Sequence, residues 1–260
     1  MNPVDKRRVR RSFSRSARAY DGRAAVQREI QDRMLALLGE AAPEARRALD
    51  VGAGTGALLA RLAAARPRLA PAAVDLAPGM AAAARARVPS ATVAAADAEA
   101  LPFRSGAFDL VVSTSTFQWL PRLEPAFAEA RRVLAPGGVL AIALFGARTL
   151  RELRDAWAAA GAGAARTHRF FSRDDVERAL AAAGLATRSV VEEDLVEHHP
   201  DARAVLRSLK AIGATNAVPG ARGLGGRGAT LEMLRRYEDG HAGPRGVPAT
   251  WHVVWAVAAR

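Results

Sequence analysis

The run Leu49-Asp50-Val51-Gly52-Ala53-Gly54-Thr55-Gly56 closes an apolar segment and opens a helical one. There the backbone must turn tightly against a bound ligand, and glycine makes such a turn without a Cβ clash. The spacing is G-x-G-x-G, whereas the dinucleotide fingerprint leaves two residues between its second and third small positions. Asp50, directly before the glycines, would repel a pyrophosphate at the helix N-terminus and suits a cationic or amino-bearing ligand. No G-x-x-x-x-G-K-S/T run is present, which excludes a P-loop. Asp75 ends the second apolar run, where a carboxylate can accept hydrogen bonds from both ribose hydroxyls. Asp97 ends the third and is followed by Ala98 and Glu99. Acidic residues after strands also cap helices, and for Asp97 alone both readings stay open. Three carboxylates at three successive strand ends describe a pocket for a nucleoside that carries positive charge and no phosphate. S-adenosyl-L-methionine is such a molecule.

A repeating pattern positions these residues. Short apolar runs at 48–51, 72–76, 91–95, 108–113 and 139–145 alternate with helical segments at 57–66, 78–87 and 123–134. Strand alternating with helix predicts an α/β fold, a parallel sheet with right-handed crossovers and helices on both faces. Ligands bind such sheets at the carboxyl ends of the strands. Leu134-Ala135-Pro136-Gly137-Gly138 reads as a helix stop and turn before the fifth strand. Helices are expected at 150–160, 173–183 and 201–212, and strands at 186–195 and 250–257, the last at or near the sheet edge. Gly213 to Gly228 is glycine-rich without apolar period and predicts a mobile loop. Near the N-terminus Val9, Phe13, Ala17 and Tyr20 form one helical stripe, which suits a helix docked on the core, an arm over a site, or both. The expected organisation is a single domain over 1–260: a helical arm at 1–44, a ligand-binding core at 45–145, and substrate-side helices with C-terminal strands at 146–260.

Half of the 260 residues are hydrophobic, enough for a substantial core. Thirty-eight basic against 26 acidic residues leave a formal charge of +12, so acidic partners are favoured. There is no cysteine, hence no disulfide, thiolate metal site or thiol nucleophile. No apolar stretch approaches the ~20 residues needed to cross a bilayer, and the N-terminus lacks the apolar core of a signal peptide. A cytoplasmic enzyme with no membrane partner is expected.

The motifs LDVGAGTG, VDLAPGM, DAEALPF, FDLVVSTSTFQWL and RVLAPGG resemble, in order and spacing, those of class I S-adenosylmethionine-dependent methyltransferases over residues 45 to 145. The flanks narrow the resemblance. DKRRVRRSFSRSARAYDGRAAVQREI, LFGARTLRELRDAW, LKAIGATN and WHVVWAVAAR are similar to the malonyl-acyl-carrier-protein O-methyltransferase (BioC) family of biotin synthesis, nearly end to end. Phe13, Tyr20-Asp21 and Gln27 match its N-terminal signature, Gln118-Trp119 its fourth-strand motif, and Leu209-Lys210 with Ile212 to Thr215 its insertion motif. Departures lie mainly between Ala217 and Pro248. The resemblance implies a Rossmann-like seven-stranded, mostly parallel sheet with an N-terminal helical arm and a helical insertion before the last strand. It further implies that Gly52, Gly54 and Gly56 face the cofactor, Asp75 the ribose, Asp97 with Ala98 the adenine, that Asp50 lies near the methionine end, and that Ala53, Leu76, Met80 and Ser113 also bind the cofactor.

The implied reaction is methyl transfer to the free carboxylate of a malonyl thioester on an acidic acyl carrier protein, or on malonyl-CoA. The methyl ester product would let fatty-acid elongation enzymes accept the chain that starts pimelate assembly. A carboxylate with a pKa near or below ~4 is already nucleophilic at pH 7, so no general base is needed. Alignment and exclusion of water suffice, and proximity with orientation can supply ~7–11 kcal/mol. Tyr20 is a candidate to close over the cofactor or meet the carboxylate, against ordinary helix packing. Gln118 is read as pointing into the crevice, and Trp119 suits the site or the core. Arg148 first and Lys210 second are candidates for the malonyl-binding cation, against solvated surface charges. His198, His199 and His241 read as solvent-exposed, and no spacing suggests a metal. Arg7, Arg8, Arg10, Arg11, Arg15 and Arg18 crowd the arm, where they could steer an acidic carrier protein.

Three rival readings share the core. A small-molecule O- or C-methyltransferase, acting on a quinone or small carboxylic acid, would have no reason for a basic arm. An RNA methyltransferase would use the charge on phosphates, but no RNA-binding module or interleaved Arg and aromatic segment is present, and aromatic residues are only 5%. A non-catalytic relative would usually lack the glycines or carboxylates.

Overall fold

The computed structural model describes residues 4–17, 21, 25–161, 170–211 and 227–260. Its centre is a seven-stranded sheet in the order β3-β2-β1-β4-β5-β7-β6. The strands are β1 (Arg47–Val51), β2 (Ala70–Asp75), β3 (Thr92–Ala95), β4 (Phe108–Thr114), β5 (Leu134–Phe145), β6 (Ala186–His199) and β7 (Val247–Ala259). The first five run parallel, while β7 is antiparallel to both β5 and β6. Strand order reverses between β1 and β4, the switch point where a crevice opens in sheets of this kind. Two helices precede the sheet, α1 (Lys6–Ser16) and α2 (Ala25–Ala41). The crossovers are α3 (Ala57–Ala65), α4 (Pro78–Arg87) and α5 (Glu124–Val133). The later helices are α6 (Arg151–Ala159), α7 (Arg173–Ala182), α8 (Ala202–Ala211) and α9 (Arg227–His241).

The parallel strands read as continuous apolar runs because both faces are buried. Their two-residue alternation divides the core. Ala48, Leu110 and Val112 pack with Ile30, Met34 and Leu38 of α2 on one face, whereas Leu49, Val51 and Val111 pack with Phe127 of α5 and Val176 of α7 on the other. Helices therefore cover both faces, as the alternation of elements predicts.

Three features depart from the sequence reading. The strand β5 begins at Leu134, not Val139, because Leu134 pairs with Phe108 across a register shift. Gly137 then takes a positive φ of 76°, and Gly137 and Gly138 exchange backbone hydrogen bonds with Arg260. The helix does stop there, but the turn residues form an irregular strand start. The final strand is also longer than expected, starting at Val247, although its place next to the edge strand β6 agrees with the expected position. Finally, α9 starts at Arg227, so residues 227 and 228 of the expected loop are helical. Residues 213–226 of that loop, like Ile212, Tyr20 and Arg18, lie outside the described residues.

Candidate active site

The glycine loop leaves β1 with Gly52, Gly54 and Gly56 at φ of 74°, 57° and 79°, the left-handed region that a side chain disfavours. At Gly52 the demand is doubled, since a Cβ would fall 2.1 Å from Thr116 Oγ1. The backbone N–H groups of Gly52 and Ala53 donate to Val74 O, and that of Gly54 donates to Asp75 Oδ2 at 2.9 Å. Asp75 Oδ1 accepts from Ala77 N at 2.8 Å. Burial raises the Asp75 pKa despite these two bonds. Each oxygen keeps a lone pair for another donor.

A cleft of about 950 Å³, including its open mouth, lies over this loop. Its wall includes Asp50, Gly52, Ala53, Gly54, Asp75, Leu76, Met80, Asp97 and Ala98. The sequence named all of these, and the sheet brings them together because β1, β2 and β3 end at one edge. Asp50 is 1% exposed, and its Oδ2 is buried without a hydrogen-bond partner. Burial, and then the charge of Asp75, push its pKa up to about 7. A buried, unpaired carboxylate of this kind calls for a cationic ligand. The sulfonium and ammonium of S-adenosylmethionine fit that requirement, so the residues present suit this cofactor.

Two expected cofactor-facing residues are placed elsewhere. Gly56 does not line the cleft; it starts α3 and its α carbon faces Ala84 of α4, where a Cβ would meet backbone at 3.0 Å. Ser113 is likewise outside the wall, because strand alternation turns it inward and its hydroxyl donates to Val51 O at 2.7 Å. Its successors Thr114, Ser115 and Thr116 line the cleft instead. Ser115 has a φ of 53° and a buried, unpartnered hydroxyl oxygen.

Gln118 and Trp119 sit on a short 3-10 turn, Phe117–Trp119, and not at the end of β4. Of the two site candidates, only one reaches the wall. Trp119 lines the cleft, while Gln118 is 1% exposed, lies outside the wall and leaves Oε1 unpartnered.

The arm contributes more to the cleft than its sequence suggests. Lys6, Val9 and Phe13 of α1 line it, as do Gln27 and Gln31 of α2. Lys6 Nζ donates to both oxygens of Asp97, at 2.9 and 2.7 Å, and to Glu99. These bonds hold its pKa above the ordinary value although burial opposes them. Phe13 meets Trp119 edge to face, with ring centroids 5.6 Å apart. Gly79 at the start of α4 lets α1 approach, since a Cβ there would lie 2.8 Å from Ser14 O. Asp21 completes the attachment by accepting from Thr55 Oγ1 at 2.6 Å and pairing with Arg87. No local signal in the sequence marks Lys6 or Gly79 for these tasks.

The two expected substrate cations lie outside the cleft wall. Lys210 is exposed on α8. Arg148 is paired with Asp194 at 3.1 Å and Glu192 at 3.6 Å, and Arg151 shares Asp194. Its backbone N–H donates to Nδ1 of His252, a buried histidine the sequence reading passed over. Burial and then the Arg148 charge lower the His252 pKa, although Glu192, 3.0 Å from its Nε2, and Asp194 oppose them. His198, His199 and His241 are partly buried, not solvent-exposed: the first two lie on β6 paired with Pro248 and Val247, and the third meets Tyr237 edge to face.

Residues 49–142 match the model of a methyltransferase domain family. The chain is 53% identical to malonyl-acyl-carrier-protein O-methyltransferase of Geobacter sulfurreducens, covering 99% of this chain and all of that protein. It is 40% identical to the enzyme of the same name from Halorhodospira halophila, over 99% and 90% of the two chains. Among solved structures it resembles geranyl diphosphate C-methyltransferase of Streptomyces coelicolor in complex with S-adenosyl-L-homocysteine. There the TM-score is 0.54 at 17% identity, over 89% of this chain and 78% of that one, a likeness of fold.

Proposed function

Because the chain belongs to the malonyl-acyl-carrier-protein O-methyltransferase family, we propose that it methylates the free carboxylate of a malonyl thioester on acyl carrier protein, with S-adenosylmethionine as methyl donor. The product is the malonyl methyl ester from which pimelate assembly for biotin starts. The observation that carries this reading is 53% identity running through both flanks as well as the core. Malonyl-CoA offers the same carboxylate and thioester and is a second substrate under this reading. A cytosolic enzyme is part of it.

When bound, the cofactor supplies an electrophilic methyl carbon on a sulfonium. Asp50 balances positive charge at the methionine end, Asp75 accepts from the ribose hydroxyls, and Asp97 with Ala98 holds the adenine. Trp119 and Phe13 keep water from the reacting end. The chain need not move a proton, because the malonyl carboxylate is ionised at neutral pH. Its task is orientation in a dry site. Arg148 and Lys210 remain the proposed partners of the malonyl carboxylate. For Arg148 that role requires exchanging Asp194 and Glu192 for the substrate.

Incubation with labelled S-adenosylmethionine and, separately, malonyl carrier protein, malonyl-CoA, tRNA and small carboxylic acids tests the reading. A labelled, base-labile methyl ester on the malonyl thioesters is expected. Label on tRNA or only on a small acid would sink it in favour of the corresponding rival.

A further inference from the structure

The helix α1 has two chemically distinct faces. Lys6, Val9 and Phe13 face the cleft, and Ser14 packs against Gly79. The opposite side carries exposed Arg7, Arg11 and Arg15, four residues apart, while Arg10, also exposed, lies at its flank nearer Lys6. At 100° per residue the first three lie on the side away from the cleft. The eleven residues of α1 include six basic ones and none acidic. Elsewhere several guanidinium groups are matched at short range: Arg33 lies between Glu29 and Glu193, Arg47 on Asp109, Arg132 on Glu129, and Arg235 between Glu232 and Asp239. Among the described residues, Arg7, Arg10, Arg11 and Arg15 have no carboxylate at ion-pair distance. The like charges of Arg7, Arg11 and Arg15 on one exposed helix face repel one another, a local cost that an acidic partner surface would remove.

Resting on the function proposed above, we infer that the outer face of α1 is the docking surface for the carrier protein, through an acidic patch on that protein. A carrier seated there stands over the helix that walls the cofactor cleft. Its thioester arm then has only the end of α1 to pass before it reaches the surroundings of Phe13 and Trp119. The same helix thus bounds the methyl-transfer site on one side and recruits the substrate on the other. Charge complementarity selects a protein with a fixed acidic patch, and the small thioester that it carries contributes nothing to this contact.

The test compares malonyl carrier protein with malonyl-pantetheine, which presents the same thioester without a carrier. In Arg7→Glu/Arg11→Glu/Arg15→Glu the KM for malonyl carrier protein should rise at least ~10-fold, and its dependence on ionic strength should flatten. Kinetics with malonyl-pantetheine and the cofactor Kd should stay at wild-type values. The Gln triple variant, which keeps helix-forming side chains, should show a smaller effect in the same direction. An unchanged KM for carrier protein overturns the interface. So does a parallel loss with malonyl-pantetheine in both variants, which would mark α1 as a structural element only. Competition by an RNA oligonucleotide, abolished in the same variants, would reassign the face to nucleic acid. Methylation of neither malonyl substrate by the wild type would instead remove the functional reading beneath it.

Discussion

Lys6 and Asp97, ninety-one positions apart in sequence, are joined by a two-pronged hydrogen bond of 2.9 and 2.7 Å across the mouth of the cofactor cleft. The pair ties the arm to the carboxylate expected to recognise adenine. Glu99 accepts from the same ammonium, so one cation offsets two neighbouring negative charges.

Replacing Lys6 with methionine keeps the aliphatic stem and removes that cation. The ion pair is about a quarter to a third exposed, so solvent screening limits its contribution to roughly 0.5–1 kcal/mol. Global stability should change little, while α1 should loosen. Limited trypsin digestion, reading cleavage after Arg7 to Arg15, should run severalfold faster in K6M, and cofactor affinity should fall. Equal digestion rates would show that α1 is held by its apolar contacts alone.

Asp50 titrates near 7 in the fold, against 3.8 for an unperturbed aspartate. Below pH 4 both folded and unfolded states are protonated there and the group is neutral in the balance. As pH rises from about 4 to 7 the unfolded state ionises first, and the folded state loses up to about 4 kcal/mol. Asp50→Asn should therefore melt higher than wild type at pH 7.5, with the gap closing toward pH 4, while losing cofactor binding. In the wild type, affinity for a cationic cofactor should be full above pH 7 and weaken as pH falls below it. Isothermal titration calorimetry at pH 6 and 8 checks this, and equal affinities would contradict the role of Asp50.

Gly52 and Gly54 separate backbone strain from collision. Alanine at 54 meets nothing within 4 Å and pays only for its positive φ, about 1 kcal/mol. Alanine at 52 also drives into Thr116. G52A should lose several times more stability than G54A and abolish cofactor binding. Thermal melts of the pair decide the matter, and G52A/T116A should recover part of the loss.

Removal of Arg148 tests the substrate role against a structural one. The guanidinium is nearly half exposed, so R148A should cost at most about 1 kcal/mol of stability. If it meets the malonyl carboxylate, KM for the malonyl thioester should rise while the cofactor Kd holds. Unchanged kinetics would leave Arg148 as a partner of Asp194 only.

Gln118 buries an oxygen that no donor reaches, an arrangement that typically costs ~1–3 kcal/mol. Gln118→Met, of similar shape, should raise the melting temperature and leave cofactor affinity unchanged. A drop in stability would reveal a hydrogen bond to that amide.

Legibility followed sequence distance. The elements α4 and β2, and the carboxylates Asp50, Asp75 and Asp97, could be read because each depends on a local pattern, and strand-helix alternation alone brings successive strand ends to one edge. Reading Ser113 as a site residue was off by one position, since only the register against β1 and β5 fixes which way each side chain points. The early start of β5 depends on Arg260, and the state of Arg148 on Asp194 and Glu192.

The sequence by itself determined the sheet, the glycine turn, the three strand-end carboxylates that wall the cleft and the family, because these rest on periodicity, spacing and motif order. Only the tertiary structure decided that α1 walls the cleft through Lys6 and Phe13, that Trp119 and not Gln118 faces it, and that the Arg148 charge is matched. Those outcomes depend on which side chains from distant segments meet, and a hydrogen bond or ion pair reaches only a few ångströms. No local pattern encodes the chain path that closes such distances.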